Sequence, residues 1–361
     1  MRIPSQSSFV LGATAICVVL AGCSGGGSPV APPAPGGGAG NIAIQQSRAA
    51  NSRHVTTSKT FMLPGAARKP LIFVSDGFNN VVDIYLQAHK NQQVGQITGL
   101  SFPGGLATDA ARNLYVSTQF SITDPADVSR VLIYAPPYTK AAKALSDADY
   151  FPADVAVSPQ GVVAVANIAN SAFSVGSGSV TFFAKNATRP CATIAYSGYQ
   201  VSSVGFDGSG NLYVRAFTFS NRAAFISEIT GGCQATAIAP LTTTNNIIND
   251  IAGIKVDGAG RIAIMNSAGP NYDVLDTYNP PVSGSLGAPV SVTPITTLPF
   301  PQNFAFLASG TRFYTAEILA GQGYAREYRY SVGPASGVPI NTIDVGAGST
   351  GGVAVTPPLI P

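Results

Sequence analysis

The sequence predicts an all-β chain closed into a six-bladed β-propeller with four strands per blade. Three observations carry that expectation: a motif that returns at near-constant spacing, a composition poor in charge and rich in turn residues, and complementary fragments at the two ends of the repeat array. The motif is clearest at Phe102-Pro103-Gly104-Gly105-Leu106-Ala107-Thr108-Asp109-Ala110-Ala111-Arg112-Asn113-Leu114-Tyr115-Val116-Ser117, which reads as strand, tight turn, strand. The first strands of successive units end at Asp109, Ser158, Asp207, Asp257, Leu307 and Thr356, at intervals of 49, 49, 50, 50 and 49 residues. A period that regular marks a repeat architecture. Charged residues make up 10% of the chain, against roughly a quarter in an ordinary soluble domain, while 39 Gly and 27 Pro supply turns.

The first element in chain order is an export signal rather than a structural segment. Residues 1–22 carry Arg2 and then the apolar run from Phe9 to Leu20, which is too short for an ordinary membrane-spanning helix and has the build of a secretory signal. Leu20-Ala21-Gly22-Cys23 resembles the lipobox of bacterial lipoproteins, which implies cleavage before Cys23 and acylation of its thiol. Ser24 after the cysteine implies, by that family's sorting rule, the outer membrane or cell surface. Residues 23–60 follow as a Gly-, Pro- and Ser-rich tether with an ill-defined lead-in, and 61–361 form the propeller.

Within the propeller the second strands read Leu71–Ser75, Leu114–Ser117, Val162–Val165, Leu212–Arg215, Ile262–Met265 and Phe313–Ala316. The first unit lacks a first strand, and 351–356 near the C-terminus is a first strand with no second strand after it. Donating that strand to the first unit completes six sheets and removes the open edges of an unclosed array. Large and small residues alternate in the first strands, as in Val155-Ala156-Val157 and Phe304-Ala305-Phe306, which places the small set where blades crowd at the axis. Lys255 breaks the pattern, and two structural readings stand open: an amine snorkelling into the channel, or a buried cation paired with a carboxylate. Asp109, Asp207 and Asp257 precede short turns and are expected to cap turn N–H groups.

With Cys17 removed and Cys23 acylated, Cys191 and Cys233 remain, both at the start of fourth strands in consecutive repeats. Pairing in an oxidising compartment and two half-buried thiols are both open. The formal charge of +3 predicts no basic field for nucleic acid or an anionic membrane surface. No Gly-rich phosphate loop opens a helix, so nucleotide binding is not expected.

The stretches Phe102–Ser117 and Val204–Val214, with Asp207-Gly208-Ser209-Gly210-Asn211-Leu212-Tyr213-Val214, resemble NHL-repeat and gluconolactonase-like (SMP-30-type) propellers. The absence of Trp separates the chain from WD40 and typical kelch blades. The resemblance implies a ligand-binding face made of inter-blade links and second-to-third-strand loops. Gln119, Phe120 and Asp124, then Asn167 and Asn170, then Asn245 and Asn246, are the expected loop residues of that face. It also implies, for the hydrolases of the family, a Ca²⁺ or Zn²⁺ ion held in the channel by Glu, Asp and Asn. Where those ligands would stand the chain has Gly104, Ala153, Ser202, Ala252, Gln302 and Gly351, none of them acidic. One residue later Asp154 and Asn303, on opposite blades, are the only candidate central ligands, and an oxygen-rich site needs more than two. His54 precedes the blades and His89 follows a third strand, so neither is placed for base catalysis. The expectation is therefore a lipid-anchored envelope protein whose propeller binds a protein, peptide or glycan without catalysis and without a cofactor. The alternative is a divergent metal-dependent lactone or ester hydrolase using Asp154, Asn303 and Lys255.

Overall fold

The computed structural model describes residues 59–357 except 88–91, 119–129, 148–149, 171–173, 222, 245–246, 248–251, 270–271, 296–299, 320–321, 332–336 and 348–349. Contacts divide the chain into units 1–47 and 48–361, and every described residue belongs to the second. That unit is a six-bladed β-propeller of antiparallel sheets. Blade 1 orders Thr350–Thr356, Leu71–Asp76, Val81–Leu86 and Gln93–Ile97 from axis to rim. Leu71 pairs with Thr356 and Val74 with Val353, so the C-terminal strand closes the ring. Blades 2 to 6 begin at the axis with Pro103–Thr108, Tyr150–Val157, Gln200–Phe206, Ile254–Val256 and Phe300–Phe306.

The core is distributed as six apolar clusters, one between each pair of neighbouring blades. Between blades 1 and 2, Leu71, Phe73, Val82 and Ile84 meet Leu106, Leu114 and Val116. The opposite face of the same blade 2 strands sends Tyr115 and Val131 against Val155, Val163 and Phe183 of blade 3. Each middle strand is thus buried on both faces, which is why runs such as Leu71-Ile72-Phe73-Val74 carry no polar alternation. Burying one such side chain contributes roughly 1.5–3 kcal/mol, so the blades are held mainly by their neighbours.

The recurrent turns form as the Asp pattern requires. Asp109 Oδ1 accepts the Asn113 N–H, Asp207 Oδ1 those of Ser209 and Asn211, and Asp257 Oδ1 those of Ala259 and Arg261. The penultimate turn position has positive φ and is glycine at Gly161, Gly210, Gly260 and Gly310, whereas blade 2 places Arg112 there at φ 68°. A non-glycine residue pays for that conformation, and the Arg112 guanidinium supplies the compensation. It donates to the carbonyls of Arg68 and Lys69 and to Thr356 Oγ1, latching blade 2 to the C-terminal closing strand and to the segment that leads into its partner strand.

Several features differ from the expected plan. Phe61–Met62 adds a fifth strand to the rim of blade 1, and Ser285–Gly287, from a blade 5 loop, adds in parallel to the rim of blade 4. Both cover edges that would otherwise be open. Asn167 and Asn170 are not loop residues, because the second strand of blade 3 runs from Val163 to Asn170. Asn167 is fully buried and donates to the hydroxyls of Ser179 and Thr181 on the neighbouring strand. The hairpin is longer than a four-residue strand suggests, and these hydroxyls accept both hydrogen bonds that the amide nitrogen can donate inside the sheet. Cys191 and Cys233 are joined by a disulfide, with Cα atoms 5.3 Å apart, linking the outer parts of blades 3 and 4.

Candidate functional site

The axis is built from one repeated irregularity. In five of the inner strands the pairing register shifts at the same level: around Ala153, Ser202, Gln302, Gly104–Gly105 and Gly351–Gly352. A bulge bends its strand and re-aims the adjoining side chain. In this ring it precedes or includes the positions of Gly105, Asp154, Ser203, Asn303 and Gly352. Where the residue after the bulge is polar, its side chain joins a network across the axis.

Asp154 of blade 3 is the centre of that network and is fully buried. Its Oδ2 accepts the Ser203 hydroxyl at 2.6 Å and the Val204 N–H at 3.1 Å from blade 4, and the Lys255 ammonium at 2.8 Å from blade 5. Its Oδ1 accepts the Asn303 amide N–H at 2.8 Å from blade 6. The carboxylate thus reaches across the ring to the opposite blade. Glycine makes the crossing possible, since a Cβ on Gly105 would lie 2.3 Å from Asp154 Oδ1. A Cβ on Gly253 would likewise come 2.9 Å from Asn303 Oδ1.

The remaining valences are spent locally. Asn303 Oδ1 accepts the Phe304 N–H, Ser203 Oγ accepts the Ile254 N–H, and Lys255 Nζ donates a second bond to the Val204 carbonyl at 3.0 Å. Of the two readings open for Lys255, the structure gives the paired cation. Below the network the stem of Lys255 joins Leu106, Val155, Phe206, Phe306 and Val355 around an axial cavity of about 120 Å³.

A divalent cation does not fit this donor set. The groups converging on Asp154 are hydrogen-bond donors and an ammonium, whereas a Ca²⁺ or Zn²⁺ site needs several acceptor atoms turned inward. Among the described residues there is no group of three His, Cys, Asp or Glu side chains placed to hold a metal.

Asp154, Asn303 and Lys255 are therefore brought together, and Ser203 joins them although nothing but its register, one residue after the bulge, marks it in the sequence. Glu317 and Arg326 on blade 6 form a second buried polar cluster that carries no sequence signal. Arg326 Nη1 lies 2.8 Å from Glu317 Oε2, and Tyr328 and Thr315 donate their hydroxyls to Glu317 Oε1. Burial pushes the Glu317 carboxyl above the ordinary range, with Arg326 acting in the opposite direction. Cys23, His54, His89, Gln119, Phe120, Asp124, Asn245 and Asn246 lie outside the described residues.

No family model matches the chain, and no curated protein matches it. Solved structures do. A functionally unknown protein from Desulfotomaculum acetoxidans is 15% identical, with a TM-score of 0.52 over 84% of this chain and 91% of the other. Hydrazine synthase of Kuenenia stuttgartiensis is 15% identical, with a TM-score of 0.51 over 78% of this chain and 99% of the other. A protein assigned to the gluconolactonase family is 17% identical, with a TM-score of 0.48 over 74% of this chain and 87% of the other. At such identities the first two likenesses support the propeller fold alone and leave the chemistry to the residues described above.

Proposed function

We propose that the chain is a cell-envelope lipoprotein, acylated at Cys23, whose propeller is a non-catalytic binding module for a protein, peptide or glycan. The observation that carries this reading is the channel itself: both oxygens of Asp154 and the side-chain oxygens of Asn303 and Ser203 are committed to one another or to backbone N–H groups. Such a network stiffens a ring and leaves no base or nucleophile poised there.

The face formed by the second-to-third-strand hairpins suits recognition better. Phe78, Val175 and Phe219 lie in the hairpins of blades 1, 3 and 4 on that face and are 59%, 66% and 46% exposed. Phe102, on the same side, packs edge-on to Phe78 at 6.5 Å. Exposed aromatic side chains on a rigid scaffold are typical anchors of a binding surface.

The test has two arms. Incorporation of labelled palmitate that disappears in Cys23→Ser examines the anchor. Cross-linking in envelope preparations examines the face, and the expected result is a species captured by the parent chain and lost in a Phe78→Ser/Phe219→Ser variant. Capture unchanged by that variant would remove the hairpin face. Calorimetric binding of Ca²⁺ or Zn²⁺ that vanishes in Asp154→Ala would instead favour the metal-dependent hydrolase.

A further inference from the structure

The opposite face of the ring carries a basic arc that the net charge of the sequence conceals. In every blade the first-to-second and third-to-fourth turns lie on one side, because strand direction alternates. The cations collect there. Arg68 and Lys69 lead into the second strand of blade 1, and Arg112 occupies the first turn of blade 2. Lys140 lies in the next turn of blade 2 and Lys143 opens the strand after it, with Lys185 and Arg189 in the corresponding turn of blade 3.

The arc is continuous. The Arg112 guanidinium bonds the carbonyls of Arg68 and Lys69, and Lys143 Nζ bonds the Asn186 carbonyl, next to Lys185. Arg68, Lys69, Lys140, Lys185 and Arg189 are exposed, and none is in an ion pair among the described residues. The described part of this arc holds one carboxylate, Asp109, whose oxygens are occupied by Asn113 and Tyr115. The expectation that the chain has no basic field is thus corrected: the total charge is small, but over blades 1 to 3 the topology gathers cations on one face. Leu63, 42% exposed, stands in the turn just before Arg68 and adds an apolar contact at the edge of the arc.

We propose that this face rests on an anionic lipid surface, with phosphate headgroups bound by the arc over blades 1 to 3. The choice of a bilayer over a soluble polyanion rests on the reading of Cys23 as an acylated anchor, together with the exposed Leu63. Lipidation and a basic patch reinforce one another, since one acyl chain alone binds marginally. The hairpin face with Phe78 and Phe219 then points away from the membrane, toward its partner.

The test uses the full chain carrying Cys23→Ser, so that acylation does not contribute, sedimented with vesicles of phosphatidylcholine alone or mixed with phosphatidylglycerol. The readout is the difference between the two vesicles, which apolar insertion of the N-terminal segment does not create. We expect preference for the anionic vesicles at about 0.1 M salt, screened out as ionic strength rises. Lys140→Gln/Lys185→Gln should weaken it on the order of tenfold, as removal of two surface charges near an anionic membrane predicts. Arg68→Gln/Lys69→Gln, on another blade, should do the same with an unchanged melting temperature. Equal binding to both vesicles, or indifference to both charge pairs, would overturn the proposal. Dextran sulfate bound in preference to anionic vesicles would overturn it in favour of a soluble polyanion. Failure of palmitate labelling with anionic binding intact would remove the anchor alone.

Discussion

Lys255 and Asp154, which are 101 residues apart in sequence, meet at 2.8 Å on the axis of the ring, so a blade 5 cation neutralises a blade 3 carboxylate. The lysine side chain is 17% exposed and the carboxylate 1%. Removing one partner of a buried pair costs about 3–5 kcal/mol, because the other is left charged in a poor solvent. Asp154→Ala also strands Ser203, Asn303 and the Val204 N–H, and should sit at the upper end of that range. Lys255→Met should cost less, since three donors to Asp154 remain. In urea unfolding, the double variant should lose clearly less than the sum of the singles; additive losses would show that the pair is not coupled.

Arg112 combines a strained backbone with a latch. Arg112→Ala keeps the positive φ and loses the guanidinium bonds to the carbonyls of Arg68 and Lys69, and should destabilise the ring by about 1–2 kcal/mol. Arg112→Gly relieves the backbone while losing the same bonds and should be the milder change. A glycine variant less stable than the alanine variant would reject this division.

The Cys191–Cys233 bridge closes a separation of 42 residues between blades 3 and 4. Chain entropy assigns such a cross-link about 4 kcal/mol. Cys233→Ser, or reduction, should lower the unfolding midpoint accordingly, and a midpoint unmoved by reductant would show that the bridge contributes nothing to stability.

Glu317 provides a pH test. Its carboxyl is raised above its unfolded value, first by burial, with Arg326 opposing. A raised group contributes stability that is fully present below the unfolded carboxyl pKa and lost as pH rises through the folded value. The cost of Glu317→Gln, which does not titrate, should therefore shrink between about pH 4.3, near the unfolded value, and neutrality. A cost that grows with pH would show that the Arg326 ion pair outweighs burial.

The axial residues were partly legible beforehand. Asp154 and Asn303 stood out because acidic and amide side chains are rare at that register, and both take part in the network. Ser203 did not, since a serine in a strand has many uses. Asn167 reads as lying outside its strand because a polar amide after Val163-Ala164-Val165-Ala166 looks like an ending. Its partners Ser179 and Thr181 are on another strand, where local pattern does not reach. Glu317 and Arg326 leave no local signal for the same reason, since they pair across neighbouring strands.

The number of blades, the strand plan and the closure of the ring are readable from the chain alone. Each follows from local periodicity and from two fragments that complete each other: Leu71–Asp76 and Thr350–Thr356. Which side chains meet on the axis, and where the charges gather, emerge once the blades are packed into a ring. Asp154 reaches Ser203 across 49 residues of sequence and Asn303 across 149. A closed ring brings equivalent registers to one point and sends turns of one kind to one face. Neither outcome depends on neighbours in sequence, so neither leaves a local trace.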